Sequence, residues 1–365
     1  MITVLIFILV LSLLVILHEL GHFVAARRAG ITVEEFGLGL PPRIWGRKKG
    51  KTIYSINLLP FGGFVRLVGE DPEDHKAHQS DSFYVKTIPQ RMRVVVAGVA
   101  VNFAIAVLLF YAILIATGFK FSLPLLDEHH FHFANQSNEA IILQTAPGTP
   151  AEVAHVGSGE KIVSVGGTKI ESIDQFQKLI QNASSEINLE TASADGTTHN
   201  YMLKPKEEGG RKIIGVSLGE VANVEYSTPA QKAFSGFTHS FNILDYSLSL
   251  TSKFVKSSFA TKNFAPLSES VSGPVGIAQL TGQAVSLGWV STMQFIALLS
   301  LNLAFLNVLP IPALDGGRFF FLILEAITRR KLYPKIEKYA HAVGFVVLLG
   351  LIALITFNDI AKLVR

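Results

Sequence analysis

Residues 18–22 read His-Glu-Leu-Gly-His and contain three side chains that can bind or serve a metal ion. An i, i+4 spacing puts the imidazoles of His18 and His22 on one face of a helix, where both can bind a single ion. Glu19 is placed to act on a metal-bound water rather than as a ligand. Because zinc lowers the pKa of such a water to about 7, the pattern predicts zinc-dependent hydrolysis at neutral pH.

A zinc ion of this kind needs a third protein ligand and one open coordination position. Asp315 is the best candidate, because it follows an apolar run and stands in the sequence Pro310-Ile311-Pro312-Ala313-Leu314-Asp315-Gly316-Gly317. The prolines break a helix, and the glycines permit tight backbone geometry around the carboxylate. The alternative is an ordinary interhelical turn capped by an aspartate.

Apolar segments must position these residues. The chain is 49% hydrophobic and only 16% charged, against about 25% charged for an average soluble protein, which excludes a purely cytosolic enzyme. A bilayer core of about 30 Å requires about 20 apolar residues per helix. Four crossings are predicted, at 2–26, 94–119, 290–309 (resuming as a helix over 314–327) and 339–357.

Two other interpretations of these features agree less well with the sequence than membrane spans do. A cleaved signal peptide is the alternative for the first span, but no basic residue precedes it and a polar cluster interrupts its end. The pI near 9.1 could suggest nucleic acid, yet the basic residues lie beside apolar segments, so no nucleic-acid partner is expected. The absence of cysteine excludes disulfides and thiolate metal sites.

Basic residues orient the four spans. Residues 27–93 contain twelve Lys or Arg, and the loop before the fourth span adds Arg329, Arg330, Lys331, Lys335 and Lys338. The positive-inside rule places both segments in the cytoplasm and both termini, with the insert 120–289, outside. The first and third spans then run in the same direction and bring their polar residues to comparable depth. We therefore expect the two histidines and Asp315 to meet near the cytoplasmic side.

The segments between the spans predict smaller elements. Residues 52–69 contain two strand-like runs around Pro60 and Gly62-Gly63, which predict a β-hairpin or β-loop on the cytoplasmic side. A simple surface hairpin is the alternative to one that associates with the membrane. Residues 127–222 are rich in predicted strands, including 186–193 and 199–205, with one helix over 172–182. Their order resembles a PDZ domain, which could bind peptide by strand addition, only filter access to the metal site, or act as a spacer. Residues 223–289 are expected to form a linker with an amphipathic helix over 228–262 on the outer leaflet.

Four sequence stretches together resemble the site-2 protease family of intramembrane zinc metalloproteases. They are His18–His22, Arg91–Asn102, Ser272–Ile277 and Asn307–Gly317, so the resemblance covers essentially the whole chain. It is closest to the bacterial members with a single PDZ domain, of the regulator-of-sigma-E protease type. Those members cleave membrane-bound anti-sigma factors and signal-peptide remnants.

The resemblance implies a role for each candidate residue. His18, His22 and Asp315 correspond to the zinc ligands, and Glu19 to the catalytic acid/base. Residues matching Asn302 and Asn307 hold the substrate or polarise its carbonyl, although both could instead form interhelical hydrogen bonds. The hairpin is implied to dip into the membrane and to offer a strand edge to the substrate.

We therefore expect a polytopic α-helical membrane protein with four transmembrane helices, a membrane-associated β-hairpin and one inserted PDZ-like α+β domain. The membrane parts are 1–119 and 290–365. The expected activity is intramembrane zinc endopeptidase cleavage of a transmembrane protein substrate, in the lipid bilayer of the bacterial cytoplasmic (inner) membrane. A catalytically silent PDZ-bearing scaffold and a metal transporter are the alternatives, and the intact Glu19 argues against both.

Overall fold

A computed structural model describes residues 2–70, 75–193, 196–264, 271–330 and 334–364. The chain forms two compact units, the first comprising Met1–Ile113 with Thr251–Arg365 and the second Leu114–Leu250. The helices of the described residues are α1 (Ile2–Arg28), α2 (Ile88–Ala116), α3 (Pro150–Val153), α4 (Ile173–Asn182), α5 (Pro229–Thr261), α6 (Pro274–Ser286), α7 (Trp289–Val308), α8 (Asp315–Thr328) and α9 (Pro334–Val364).

Four helices of the described residues, α1, α2, α7 and α9, are long and apolar enough to cross a membrane. Apolar segments form helices in lipid because no water is present to satisfy an exposed backbone. The predicted count of four spans is confirmed on length and composition. These helices provide the frame on which the motif residues of the first unit are held.

Two of the predicted spans differ from the observed helices in their bounds. The span predicted at 94–119 is α2, which begins earlier and ends at Ala116, because Gly118 and Phe119 adopt positive φ angles of 67° and 63°. The span predicted at 339–357 lies inside the longer α9. Lys331, one of the basic residues used to orient the chain, lies outside the described residues.

The third span is interrupted as the prolines predict. Helix α7 ends at Val308 and α8 begins at Asp315. Between them the amide of Ile311 donates to the carbonyl of Leu309 over 2.6 Å, and that of Leu314 to Ile311 over 3.1 Å. The break therefore replaces helical hydrogen bonds with two tight turns and places the aspartate at a helix N-terminus.

Strand β1 (Val33–Lys49) pairs antiparallel with β2 (Thr52–Leu67). Phe36 of β1 lies opposite both Tyr54 and Val65, so the two halves of β2 flank the first half of β1. The expected hairpin within 52–69 is therefore wrong in its pairing, because its two runs pair with β1 rather than with each other.

The first half of β1 escapes sequence-based prediction because one of its buried positions is charged. Burial alternates along residues 33–37, as in a strand with one covered face, but the middle position is Glu35. Its carboxylate accepts hydrogen bonds from Arg43 Nη2 at 2.6 Å and from Ser55 Oγ at 2.7 Å. These partners satisfy a buried charge that breaks the apolar alternation.

The second unit contains an antiparallel sheet. Its strands are β3 (Lys120–Leu125), β4 (Asn135–Thr145), β5 (Lys161–Val165), β6 (Thr168–Lys169), β7 (Ile187–Ala192), β8 (Thr198–Leu203), β9 (Lys206–Glu208), β10 (Arg211–Ile213) and β11 (Val216–Glu225). The sheet order is β3-β11-β4-β5-β7-β8, with β6 paired to β5, while β9 and β10 pair separately. The predicted strands at 186–193 and 199–205 are confirmed as β7 and β8.

Helix α4 packs on the core of the second unit. Ser172 caps it by accepting a hydrogen bond from the Gln175 amide at 3.2 Å. Its buried residues Phe176 and Ile180 belong to the same core as Ile142, Leu189 and Leu203. The helix predicted over 172–182 is confirmed, because the serine cap and the apolar spacing agree.

The second unit is wider than the expected domain at 127–222. Strand β3, which precedes residue 127, pairs with residues 220–225 of β11. Strand β11 itself continues to residue 225, past the predicted end at 222. Residues 229–250 of α5 also belong to the unit: Tyr246 Oη accepts from the Leu126 amide at 2.8 Å, and Asn242 Oδ1 accepts from the His132 amide at 3.0 Å. The helix predicted over 228–262 is present as α5, but its first two-thirds belong to the unit rather than to a linker.

Candidate metal centre

Helix α1 presents His18 and His22, and Asp315 is the first residue of α8. The Nε2 atoms of His18 and His22 lie 2.9 Å and 3.1 Å from Asp315 Oδ2, and 3.1 Å from each other. The aspartate is 297 residues from His18 along the chain. The structure thus brings together the three ligands that the sequence predicts, and all three can hold one ion.

The geometry of this cluster fits zinc. A tetrahedral ion with bonds of about 2.0–2.1 Å to nitrogen and oxygen separates its ligand atoms by about 3.3 Å, close to the spacing observed. The side chains of His18, His22 and Asp315 are 8%, 12% and 21% exposed, so the carboxylate keeps some access. Two imidazoles and one carboxylate form a catalytic type of donor set, which leaves a fourth position for water or substrate.

The backbone before Asp315 is held in an unusual conformation. Ala313 has a φ of 80°, a region that residues with a side chain rarely adopt. Its amide donates to His341 Nδ1 at 2.9 Å. A Cβ on Gly316 would lie 2.1 Å from the Leu309 carbonyl oxygen. The tight turn that delivers the carboxylate therefore depends on glycine after it and on a histidine from α9.

Glu19 lies beside the cluster rather than in it. Together with His22 and Asp315 it lines a cavity of about 380 Å³. Glu19 is half-buried and borders the same space as His22 and Asp315. That position fits a group that exchanges protons with water or substrate in the cavity.

Strand β2 forms one wall of this cavity through Phe64, Val65 and Leu67. In the part of the chain that the structure describes, this half of β2 pairs with β1 alone, so its other edge carries backbone groups that can pair with an added strand. The turn before it packs on α1, where Ser12 Oγ donates to the Pro60 carbonyl at 2.8 Å. A strand edge therefore borders the space in front of Glu19.

Sequence reasoning missed three polar residues of the same cavity. Glu70, after β2, and Arg318, on α8, form an ion pair, and both line the cavity with His341. Arg318 stands three residues after Asp315 on one helix, a spacing that places both on the same side. That spacing was an available signal, whereas Glu70 and His341 become neighbours only through the tertiary fold.

The two asparagines proposed for the substrate are not part of the cluster. Asn302 is exposed and Asn307 is half-buried, both on α7. Among the described residues, neither side chain forms a hydrogen bond with the histidines or Asp315. Their predicted role in substrate binding therefore stays a prediction.

Known proteins match this chain over its metal centre and its second unit alike. Residues 6–351 match the model of peptidase family M50. A Clostridium perfringens protein is 32% identical over 353 residues, covering 96% of both chains. The Bacillus subtilis regulator of sigma-W protease RasP is 30% identical over 442 aligned residues, with 99% of both chains covered. The Oceanobacillus iheyensis zinc metalloprotease RasP is 27% identical over 444, with full coverage of both.

Proposed function

We infer the function from the family, because this chain belongs to peptidase family M50, the site-2 zinc metalloproteases. We propose that it cuts peptide bonds within or near transmembrane segments of single-pass membrane proteins. Zinc is the expected cofactor of this family. The main support for the proposal is that His18 and His22, on the membrane-length helix α1, converge with Asp315 at the start of α8. Glu19 lines the adjoining cavity.

Each residue of the centre has a proposed task. His18, His22 and Asp315 hold the ion, which when bound supplies a Lewis acid that polarises the scissile carbonyl and activates water. Glu19 takes a proton from the attacking water and passes it to the leaving amine. Asn302 and Asn307 are proposed to orient the substrate.

The free edge of β2 is proposed to hold the substrate extended. A transmembrane helix uses all its backbone hydrogen bonds internally and so hides its peptide bonds. Pairing with the edge at Phe64 and Val65 replaces those hydrogen bonds once the segment unwinds. Because both residues line the cavity with Glu19, a paired segment lies beside the proposed acid/base.

The second unit is proposed to control which substrates reach the centre. Helix α4 and residues 211–218 line a cavity of about 1110 Å³, the type of groove in which a PDZ-like domain accepts a peptide. A spacer role needs no such groove. Anti-sigma factors and signal-peptide remnants are the proposed substrates. The name of the Bacillus subtilis relative, regulator of sigma-W protease, supports the first of these two classes.

The test is proteolysis by the full chain in proteoliposomes containing a single-pass model substrate. We expect mass spectrometry to find new peptide termini within or next to the transmembrane segment. A scaffold would bind the substrate without yielding products. Cleavage confined to the water-exposed part of the substrate would contradict the proposal.

A further inference from the structure

One face of α2 packs against the imidazoles of both histidines. Val94, Gly98 and Asn102 are spaced by four residues and so share this face. Each contacts the imidazoles in a different way: through a carbonyl, through the lack of a side chain, and through an amide. The helix thus supplies the outer surroundings of the centre, although it supplies none of the ligands.

Gly98 makes the close approach possible. A Cβ at this position would lie 2.4 Å from His22 Nε2 and 2.7 Å from His18 Nε2, distances that no real Cβ contact tolerates. Any larger residue would therefore push the coordinating nitrogens away from Asp315. The glycine lets the backbone of α2 lie close enough to contact both rings.

Val94 fixes the protonation of His22. The His22 Nδ1 atom lies 2.8 Å from the Val94 carbonyl oxygen, which can only accept a hydrogen bond. Nδ1 must therefore carry the proton, and the lone pair of Nε2 points to the cluster. Outer partners of this kind orient most metal-binding histidines and raise their basicity.

Asn102 occupies the equivalent place for His18. Its side-chain amide lies 3.4 Å from His18 Nδ1, and the residue is 1% exposed. Within the described chain, Asn102 Oδ1 has no hydrogen-bond partner. A half-turn of the amide exchanges oxygen and nitrogen, so the oxygen can accept the Nδ1 proton when Nε2 binds the ion. Ser300 Oγ donates to the Asn102 backbone carbonyl at 2.8 Å and joins α7 to this part of α2.

We propose that Asn102 is a positioning residue that holds His18 with its proton on Nδ1 and its Nε2 lone pair directed at zinc. The inference rests on the proposed zinc protease function but assigns a residue that binds neither zinc nor substrate. Helix α2 then orients both imidazoles, that of His22 through the Val94 carbonyl and that of His18 through the Asn102 amide.

The test compares zinc affinity of the full chain in detergent, measured by competition with a chromophoric chelator. Asn102→Leu keeps the size of the side chain but cannot accept the proton, and we expect zinc to bind about 10–100-fold more weakly. Asn102→Asp keeps an acceptor oxygen, and its affinity should stay close to that of the wild type. Thr281→Val, which removes a different buried polar group, a hydroxyl, from the same unit, should leave zinc affinity unchanged.

A second readout separates positioning from packing. Co²⁺ bound in place of zinc should give an altered visible spectrum in Asn102→Leu and a wild-type spectrum in Asn102→Asp. Wild-type affinity and spectrum in Asn102→Leu would overturn the inference, as would equal losses in the Leu and Asp variants. If the variants follow the expected order but the wild type cleaves no membrane substrate, the inference stands and the proposed protease function fails.

Discussion

At the scale of single residues, the three proposed zinc ligands reach one point by two kinds of local geometry. His18 and His22 meet because an undisturbed helix repeats its faces every four residues. Asp315 joins them only because Ala313 adopts a φ of 80° and Gly316 passes close to the Leu309 carbonyl. The carboxylate is therefore the ligand most dependent on its surroundings.

Replacing Asp315 by Asn should remove zinc while leaving the fold intact. The amide is the same size but carries no charge, and it is a poor zinc ligand. We expect a loss of affinity greater than the 10–100-fold typical of outer partners. Metal analysis of the purified protein, with chelator competition, measures the change.

Asp359→Asn is the matched control. Asp359 is buried, accepts a hydrogen bond from the Gly276 amide at 2.8 Å and lies on α9, outside the metal centre. Its substitution should leave zinc content unchanged. Equal zinc loss in both variants would show that Asp315 acts through stability rather than as a ligand.

The ligands could be predicted from the sequence, but their outer partners could not. The i, i+4 histidines and the aspartate flanked by prolines and glycines carry their chemistry in the order of residues. The roles of Val94, Gly98 and Asn102 exist only because α2 packs against α1, where a Cβ on Gly21 would lie 2.5 Å from the Ala97 carbonyl. Nothing in the sequence fixes that crossing.

At the scale of elements, a buried ion pair joins α2 to α8. Arg91 Nη2 lies 2.7 Å from Glu325 Oε1, with side chains 6% and 12% exposed. The contact connects the helix that orients the histidines to the helix that begins with Asp315. Loss of this ion pair should therefore affect the surroundings of both the histidines and Asp315.

Arg91→Met should destabilise the protein by about 3–5 kcal/mol, because it leaves the carboxylate buried without its partner. Thermal unfolding in detergent measures the effect. The double variant Arg91→Met with Glu325→Leu should recover most of the loss, since no unpaired charge remains. Lys120→Met, which removes one member of an exposed pair, should change the stability by less than about 1 kcal/mol. A double variant as unstable as Arg91→Met would show that the unpaired Glu325 carboxylate does not cause the loss of stability.

Helix α5 reverses the usual distribution of polar and apolar residues. Ser235, His239 and Asn242 are fully buried, while Phe234 and Phe241 are more than half exposed. Burial lowers the pKa of His239 to about 3, so the buried face is polar but uncharged. An exposed aromatic face of this kind suits a lipid surface, and we propose that it lies on the outer leaflet.

Brominated lipids test that proposal, because they quench nearby tryptophan. In a background with Trp45→Phe and Trp289→Phe, the tryptophan fluorescence of Phe241→Trp should be strongly quenched in proteoliposomes. The fluorescence of Val153→Trp, at an exposed position on α3, should be quenched much less. Equal quenching at the two positions would contradict a lipid-facing α5.

Elements with a single strong signal were predicted well, and those that depend on partners were not. Apolar length predicts α1, α2, α7 and α9, and a serine cap with apolar spacing predicts α4. The pairing of β1 with both halves of β2 was missed because its buried Glu35 conceals the alternation. Pairing is decided between distant segments, whereas helix formation is decided locally.

At the scale of the whole molecule, the charge distribution predicts the orientation in the membrane. The segment 27–93 should face the cytoplasm, and the second unit should lie outside. Because the chain contains no cysteine, single cysteines report position without background. We expect a membrane-impermeant maleimide added to intact cells to label Glu208→Cys but not Lys49→Cys, at two exposed positions. Labelling of the second variant alone would reverse the orientation.

The most direct measurement is cleavage of a transmembrane model substrate in proteoliposomes by the wild type and by Glu19→Gln at matched zinc content. The substitution keeps the size of the side chain and leaves His18, His22 and Asp315 in place, but it removes the carboxylate that accepts the proton. We expect zinc in both proteins and cleavage by the wild type alone. Cleavage by both proteins would contradict the role of Glu19 and with it the proposed mechanism.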